Sequence, residues 1–176
     1  FNKFKVIVCD NGSNKNQFTE LKNLSKKYSF VEIITNIQSQ TSSYGHGEAL
    51  NLLIKKAETK YTLVIDGDAL PLAKNWDRYL IDELNSGIKI IGATNPKERS
   101  GKRHGLGNFP LPCFAFFETE VFKKLNINSL PGNISEGQDV CWEWPVKFSK
   151  QNYKSKVFET KNTRDYKEGP LSSLVG

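Results

Sequence analysis

The stretch "YGHGEALNLLIKKAETKYTLVIDGDALPLAKNW" (Tyr44–Trp76) decides how the rest of the chain reads. In its first half, Leu50, Leu53, Ile54 and Ala57 recur at i, i+3, i+4 and i+7, the spacing of an amphipathic helix. "YTLVI" (Tyr61–Ile65) follows and reads as a strand with an apolar centre. That strand runs straight into two carboxylates, Asp66 and Asp68, with only Gly67 between them. Taken alone, Asp-Gly is an ordinary turn signal, and an Asp-x-Asp tripeptide is common by chance.

The same alternation extends in both directions. "FKVIVC" (Phe4–Cys9) is a strand that ends at Asp10, and "DNGSN" is a turn in which Ser13 or Asn14 can cap the next helix. Phe18, Leu21, Leu24 and Tyr28 mark that helix's apolar face, and "FVEIIT" (Phe30–Thr35) is the next strand. Beyond the central stretch, Trp76, Tyr79, Leu80 and Leu84 line a further helix, and "IKIIGAT" (Ile88–Thr94) is a strand. Strands and helices alternating at this spacing predict an open α/β sheet, largely parallel, with helices on both faces. From Asn95 to Pro112 the chain is basic and rich in Gly and Pro, the composition of a long binding loop or lid. "CFAFFETEVFKKL" then reads as a strand and short helix, "WPVKFSKQNYK" as a helix with Pro145 in its first turn, and "SKVFET" as a last strand.

The chain's 176 residues, 38% hydrophobic and 25% charged, suit one globular domain over residues 1–176 without repeats or linkers. No run approaches the roughly 18 apolar residues of a membrane span, and no leader pattern is visible. Cys9, Cys113 and Cys141 sit in apolar settings without metal-ligand spacing, which predicts reduced thiols and a cytoplasmic setting. A net charge of +6 suits an anionic partner. The lysines are spread along helices as solvated faces, so nucleic acid is not the expected partner.

Ligands of open α/β sheets bind at the carboxyl ends of strands. Asp10, Asp66 and Asp68 lie at such ends, and Asp139 precedes the last helix. Acids gathered there repel one another unless a cation lies between them. Mg²⁺ or Mn²⁺ suits hard oxygen ligands, typically one or two carboxylates plus phosphate oxygens.

"VIVCDNGS", the Tyr44–Trp76 block and a late "EGQDV" come in the order and rough spacing of a family 2 glycosyltransferase. The resemblance, over Val6 to Phe148, is to the GT-A nucleotide-sugar transferases, and its most specific part is the joint block from Gly45 to Trp76. It implies a GT-A, Rossmann-like sheet and a nucleoside-diphosphate-sugar donor whose sugar passes to a carbohydrate or other hydroxyl acceptor. Asp10 or Asn11 would contact the nucleobase, and Asp66 would lie near the ribose or share the metal. Asp68 would hold Mg²⁺ or Mn²⁺ against the donor diphosphate. Asp139 would be the general base. With a single base, the transfer would invert the anomeric centre. The chain departs from the family at Gln138, where a Glu is usual; Glu136 lies close by.

Other residues have two readings. His46 either donates to the donor's phosphate or sugar, or is a satisfied helix-start residue. Asn51 is either part of the family's Gly-Ala-Asn helix signature or a simple polar position. Lys102, Arg103 and His104 form either a basic lid or a solvated loop. Trp142 and Trp144 either stack on an acceptor sugar or pack in the core.

Two other functions remain. A sugar-phosphate nucleotidyltransferase also sets paired acids on an α/β sheet, but no Gly-rich, Lys- and Arg-bearing loop stands near the start. A non-catalytic nucleotide-sugar or carbohydrate-binding module could keep the same fold. Family members normally begin with one more strand and helix, while this chain has no Met and opens on "FNKFKVIVCDNGS". The expectation is an N-terminally truncated domain, whose missing central strand leaves an unpaired sheet edge for self-association.

Overall fold

The computed structural model describes residues 3–37, 42–67, 69–94 and 109–158. In chain order they form β1 (Val6–Asp10), α1 (Lys15–Lys27), β2 (Val31–Thr35), α2 (Ser43–Lys56), β3 (Tyr61–Ile65) and α3 (Trp76–Asn85). β4 (Ile88–Ala93), β5 (Phe114–Glu118), α4 (Thr119–Leu125), a 3₁₀ turn (Ile134–Glu136), α5 (Glu143–Lys150) and β6 (Lys154–Phe158) follow.

The strands form two sheets. β1 and β2 pair in parallel, with Val6 opposite Val31 and Asp10 opposite Thr35. The second sheet has the order β3-β5-β4-β6. β5 runs antiparallel to both β3 and β4, and β6 runs parallel to β4. Three strands of this sheet therefore point one way and β5 alone is reversed, which makes a mixed sheet of predominantly parallel direction. Residues 95–108, between β4 and β5, lie outside the described residues. Among the described residues, β1 pairs only with β2 and β3 only with β5.

β5 is the centre of the core. Its sequence "FAFFE" is apolar at four successive positions, as a strand covered on both faces must be. Ala115 and Phe117 face one side with Ile90 and Val64, where Leu50 and Ile54 of α2, Phe122 of α4, and Trp144 and Phe148 of α5 cover them. Phe114 and Phe116 face the other side with Ile91 and Ala93, against Leu80 and Leu84 of α3. Phe117 stacks on Phe122 with ring centroids 3.7 Å apart, and Phe122 meets Trp144 edge to face at 4.8 Å. Trp144 is thus a core residue. Tyr79, expected on the buried face of α3, is exposed beneath the Lys156 ammonium, and Ile81 packs in its place.

The β1–α1–β2 layer is built differently. α1 starts well, with Asn14 Oδ1 accepting from the amides of Asn16 and Gln17, and the Gln17 side chain accepting from the Asn14 amide. Yet no residue of α1 is fully buried, and Phe4, Leu24, Tyr28 and Phe30 are exposed. Lys5 and Lys56 flank Glu32 at 2.5 and 2.9 Å, tying β2 to the end of α2. These two ammonium groups, Lys5 first, hold the Glu32 carboxyl below its usual range.

Glycines report where the backbone is crowded. A Cβ on Gly92 in β4 would sit on the Phe114 carbonyl oxygen and 3.0 Å from Ala115 Cα. Among the described residues, a Cβ on Gly67 would meet no atom within 4 Å, so none of them requires a glycine there. Gly92→Val should therefore lower unfolding stability by about 1–3 kcal/mol or more, the scale of overpacking, while Gly67→Ala should leave it within about 0.5 kcal/mol. Chemical denaturation of both variants checks this; equal midpoints would overturn it.

Candidate functional site

The first wall of the candidate site is made by the carboxyl ends of β1 and β2. Asp10 closes β1 and is 6% exposed, with its Oδ1 accepting from the Ser13 amide at 3.3 Å across the turn. The Asn36 amide donates to the Asp10 carbonyl at 2.9 Å, carrying the parallel ladder one residue past β2. Asn36 is itself buried, and its Nδ2 donates to Asn11 Oδ1 at 2.8 Å and more distantly, at 3.5 Å, to the Gly45 carbonyl. Asp10, Asn11 and the first turn of α2 are thereby held together. Asn36 was not singled out in the sequence; its only signal is its place directly after a strand, the position Asp10 holds after β1.

α2 carries His46 in its first turn, half-buried between two buried glycines, Gly45 and Gly47. Gly45 faces Asn36. Gly47 faces the other way in the molecule: its Cβ would stand 2.7 Å from the Ser129 carbonyl and 2.9 Å from Leu130 Cα. One helical turn later, Asn51 Oδ1 accepts from the Ser129 amide at 2.8 Å, and its Nδ2 donates to Asn128 Oδ1 at 2.8 Å. Asn51 is therefore no simple polar position.

The second wall is the end of β3. Asp66 is half-buried, and its amide donates to the Cys113 carbonyl at 3.0 Å, just before β5. The Ala69 amide donates back to the Asp66 carbonyl at 3.0 Å, so the chain turns immediately after the strand. Asp68 lies outside the described residues, as do Lys102, Arg103 and His104.

The third wall carries Asp139. Residues 132–138 form a self-bonded loop. The Gly132 amide donates to the Gln138 carbonyl at 2.9 Å, and the Asn133 amide to Gln138 Oε1 at 2.8 Å. Gln138, at the position where the resemblance expects a Glu, thus fastens the loop. Glu136 is exposed and accepts from Asn133 Nδ2 at 2.8 Å. Asp139 is half-buried, with Oδ1 accepting from the Val140 amide at 2.7 Å. Cys141 follows with a φ of +64°, rare for a residue with a side chain. Its amide donates to the Ser129 carbonyl at 3.0 Å. Trp142 is partly exposed beside Gly132.

Cys141 packs in the buried cluster that also holds Val64 of β3, the strand that ends just before Asp66. Burial pushes its thiol far above the ordinary range, a hydrogen bond with Ser129 opposes this, and the negative charges of Asp139 and Asp66 both add to the rise. Cys141 is therefore held as a protonated, unreactive thiol. Burial likewise raises the Cys9 thiol, with Asp10 adding to the effect. None of the three cysteines is in a disulfide. No described helix is long and apolar enough to cross a membrane.

Comparison with known proteins bears on this arrangement. No curated protein sequence matches the chain significantly. Among solved structures, it is similar to a mannosyltransferase from Pyrobaculum calidifontis in complex with GDP-Man and Mn²⁺. The TM-score is 0.60 at 13% identity, over 88% of this chain. The chain spans 45% of that protein's length. The likeness is one of fold, and it assigns the α/β architecture described above to the GT-A type. The sequence pattern of glycosyl transferase family 2 matches residues 1–143, from the first strand through Asp139 and to the start of α5, and the chain belongs to that family.

Proposed function

We propose that the chain transfers a sugar from a nucleoside-diphosphate sugar to an acceptor hydroxyl, with inversion at the anomeric carbon. The observation that supports this reading is that Cys141, two residues after Asp139, and Val64, two residues before Asp66, pack in one buried cluster, which brings both chain segments to the same core. Through a divalent cation one acid would serve the donor's diphosphate, and the other would serve an incoming nucleophile.

Asp139 acts as general base. Its carboxylate takes the proton of the acceptor hydroxyl as that oxygen attacks the anomeric carbon, and the bond to the diphosphate breaks on the opposite side. One base suffices for such a single displacement. The fastened 132–138 loop fixes where the base stands. Asp10, Asn11 and Asn36 form the wall for the nucleobase, and His46, in the first turn of α2, faces the diphosphate or sugar as a donor.

Asp66 and Asp68 would hold a divalent cation. The donor set fits, since carboxylate oxygens are the hard ligands Mg²⁺ and Mn²⁺ prefer. Asp66 is also only half-buried, beside the open flank of Gly67. Among the described residues no cluster of three or more His, Cys, Asp or Glu makes a self-sufficient metal site. A cation at Asp66 and Asp68 would complete its shell with diphosphate oxygens. When bound, it supplies Lewis-acid stabilisation of the leaving diphosphate. The solved mannosyltransferase complex supports trying GDP-mannose with Mn²⁺ first.

Calorimetric titration of GDP-, UDP- and dTDP-sugars should detect binding of one class, strengthened by Mn²⁺ or Mg²⁺. Asp68→Asn should remove the metal-dependent part; unchanged metal dependence would take Asp68 out of the site. Asp139→Asn should leave donor affinity intact and slow transfer by roughly 10²–10⁴-fold, the range of general-base catalysis. Retained turnover in that variant would reassign the base. NMR of the product anomer gives the stereochemistry, and a retained centre would exclude the single displacement.

A further inference from the structure

A long-range polar link joins α2 to residues 128–130. Gly47 and Asn51 are four residues apart, and so share one face of α2. That face rests on the backbone of residues 128–130. Gly47 supplies the closeness, since any Cβ there would collide with Ser129 and Leu130. Asn51 supplies the registration. Its amide is read at both ends, with Oδ1 on the Ser129 N–H and Nδ2 on Asn128 Oδ1, each at 2.8 Å. Asn128 Oδ1 also accepts from the Leu130 amide at 3.0 Å, so the Asn128 side chain has a fixed sense.

Segment 128–130 is in turn the seat of the Asp139 corner. Asn128 donates its backbone N–H to Glu143 Oε2 at 2.6 Å. Ser129 is wholly buried; its carbonyl accepts from the Cys141 amide at 3.0 Å and its Oγ from Trp144 Nε1 at 3.2 Å. The Trp142 amide closes the corner by donating to the Asp139 carbonyl at 3.1 Å. Three supports of residues 141–144 thus pass through 128–130, and Asn51 aligns 128–130 on α2.

We propose that Asn51 is a positioning residue for the Asp139 carboxylate, acting through segment 128–130 without touching it. This rests on the reading of Asp139 as the base. A misplacement near 1 Å is enough to slow an oriented reaction about 100-fold. Removing Asn51 therefore affects the acceptor step and spares the donor wall, which Asn36 and Gly45 hold separately.

The test uses the full chain and two readouts. Amide hydrogen exchange on Asn51→Ala should show faster exchange at Cys141 as well as at Ser129, whose partner has been removed directly. Kinetics should show kcat lowered by roughly 10–100-fold with donor affinity unchanged, and no further loss when Asn51→Ala is added to Asp139→Asn. Should Asn51→Ala fail to fold, Asn51→Asp keeps an acceptor for Ser129 but sets a carboxylate oxygen against Asn128 Oδ1. It should show the same effects, smaller. Unchanged protection at Cys141 overturns the link whatever the chain catalyses. Faster exchange at Cys141 with undiminished turnover overturns the positioning role. Losses that multiply with those of Asp139→Asn assign Asn51 a merely structural role. An Asp139→Asn variant that keeps full activity refutes the reading of Asp139, while the exchange result still judges the link on its own.

Discussion

A strand buried on both faces constrains everything around it. β5 carries Phe114, Ala115, Phe116 and Phe117 in succession, and each must find apolar cover. α3 has to lie on one face, and α2, α4 and α5 on the other. β5 also runs against its neighbours, so its beginning lies at the carboxyl ends of β3 and β4. This brings Cys113 beside Asp66 and fixes where β3 releases its acids. The place of Asp66 is therefore set by core packing rather than by any interaction of its own carboxylate. The close contact at Gly92 belongs to the same constraint, because β4 can approach β5 at that point only without a side chain.

α2 connects this core to the rest. Its lower turns bury Leu50 and Ile54 against the four-stranded sheet, while its first turn carries two glycines that serve opposite neighbours. Gly45 meets the wall built on β1 and β2, and Gly47 meets the segment beneath Asp139. A single helix thus joins the wall built on β1 and β2 to the segment beneath Asp139. This explains in physical terms why a Gly-rich, Asn-bearing helix start should accompany a strand that ends in acids.

Much of this was legible in the sequence. The helical period of Leu50, Leu53, Ile54 and Ala57, the apolar strand from Tyr61 and the acids behind it gave the central βα geometry, because periodicity directly reports burial. A cap at Ser13 or Asn14 was readable from the turn residues, and the structure uses Asn14. The reversed direction of β5 was not, since nothing in "CFAFF" distinguishes a parallel strand from an antiparallel one buried on both faces. Tyr79 misled because an aromatic residue at helical spacing can lie over a lysine stem as readily as in a core. Asn36, Asn51 and Ser129 act across tens of residues, with partners that only the fold brings near. Gln138 was visible as a departure from the family, but its use as a loop fastener depends on a turn that no local signal announces.

The uneven distribution of burial has its own consequence. The four-stranded sheet is sealed on both sides, whereas α1 buries no residue completely and β1 buries only Asp10. Free energies of local opening follow buried contact, so the two layers do not share one stability. The lower burial of the β1–α1–β2 layer favours its local opening ahead of the Phe-rich sheet. A ligand seated between Asp10 and Asp66 would then do more than fill a cleft: part of its binding free energy would go into holding the weaker layer shut.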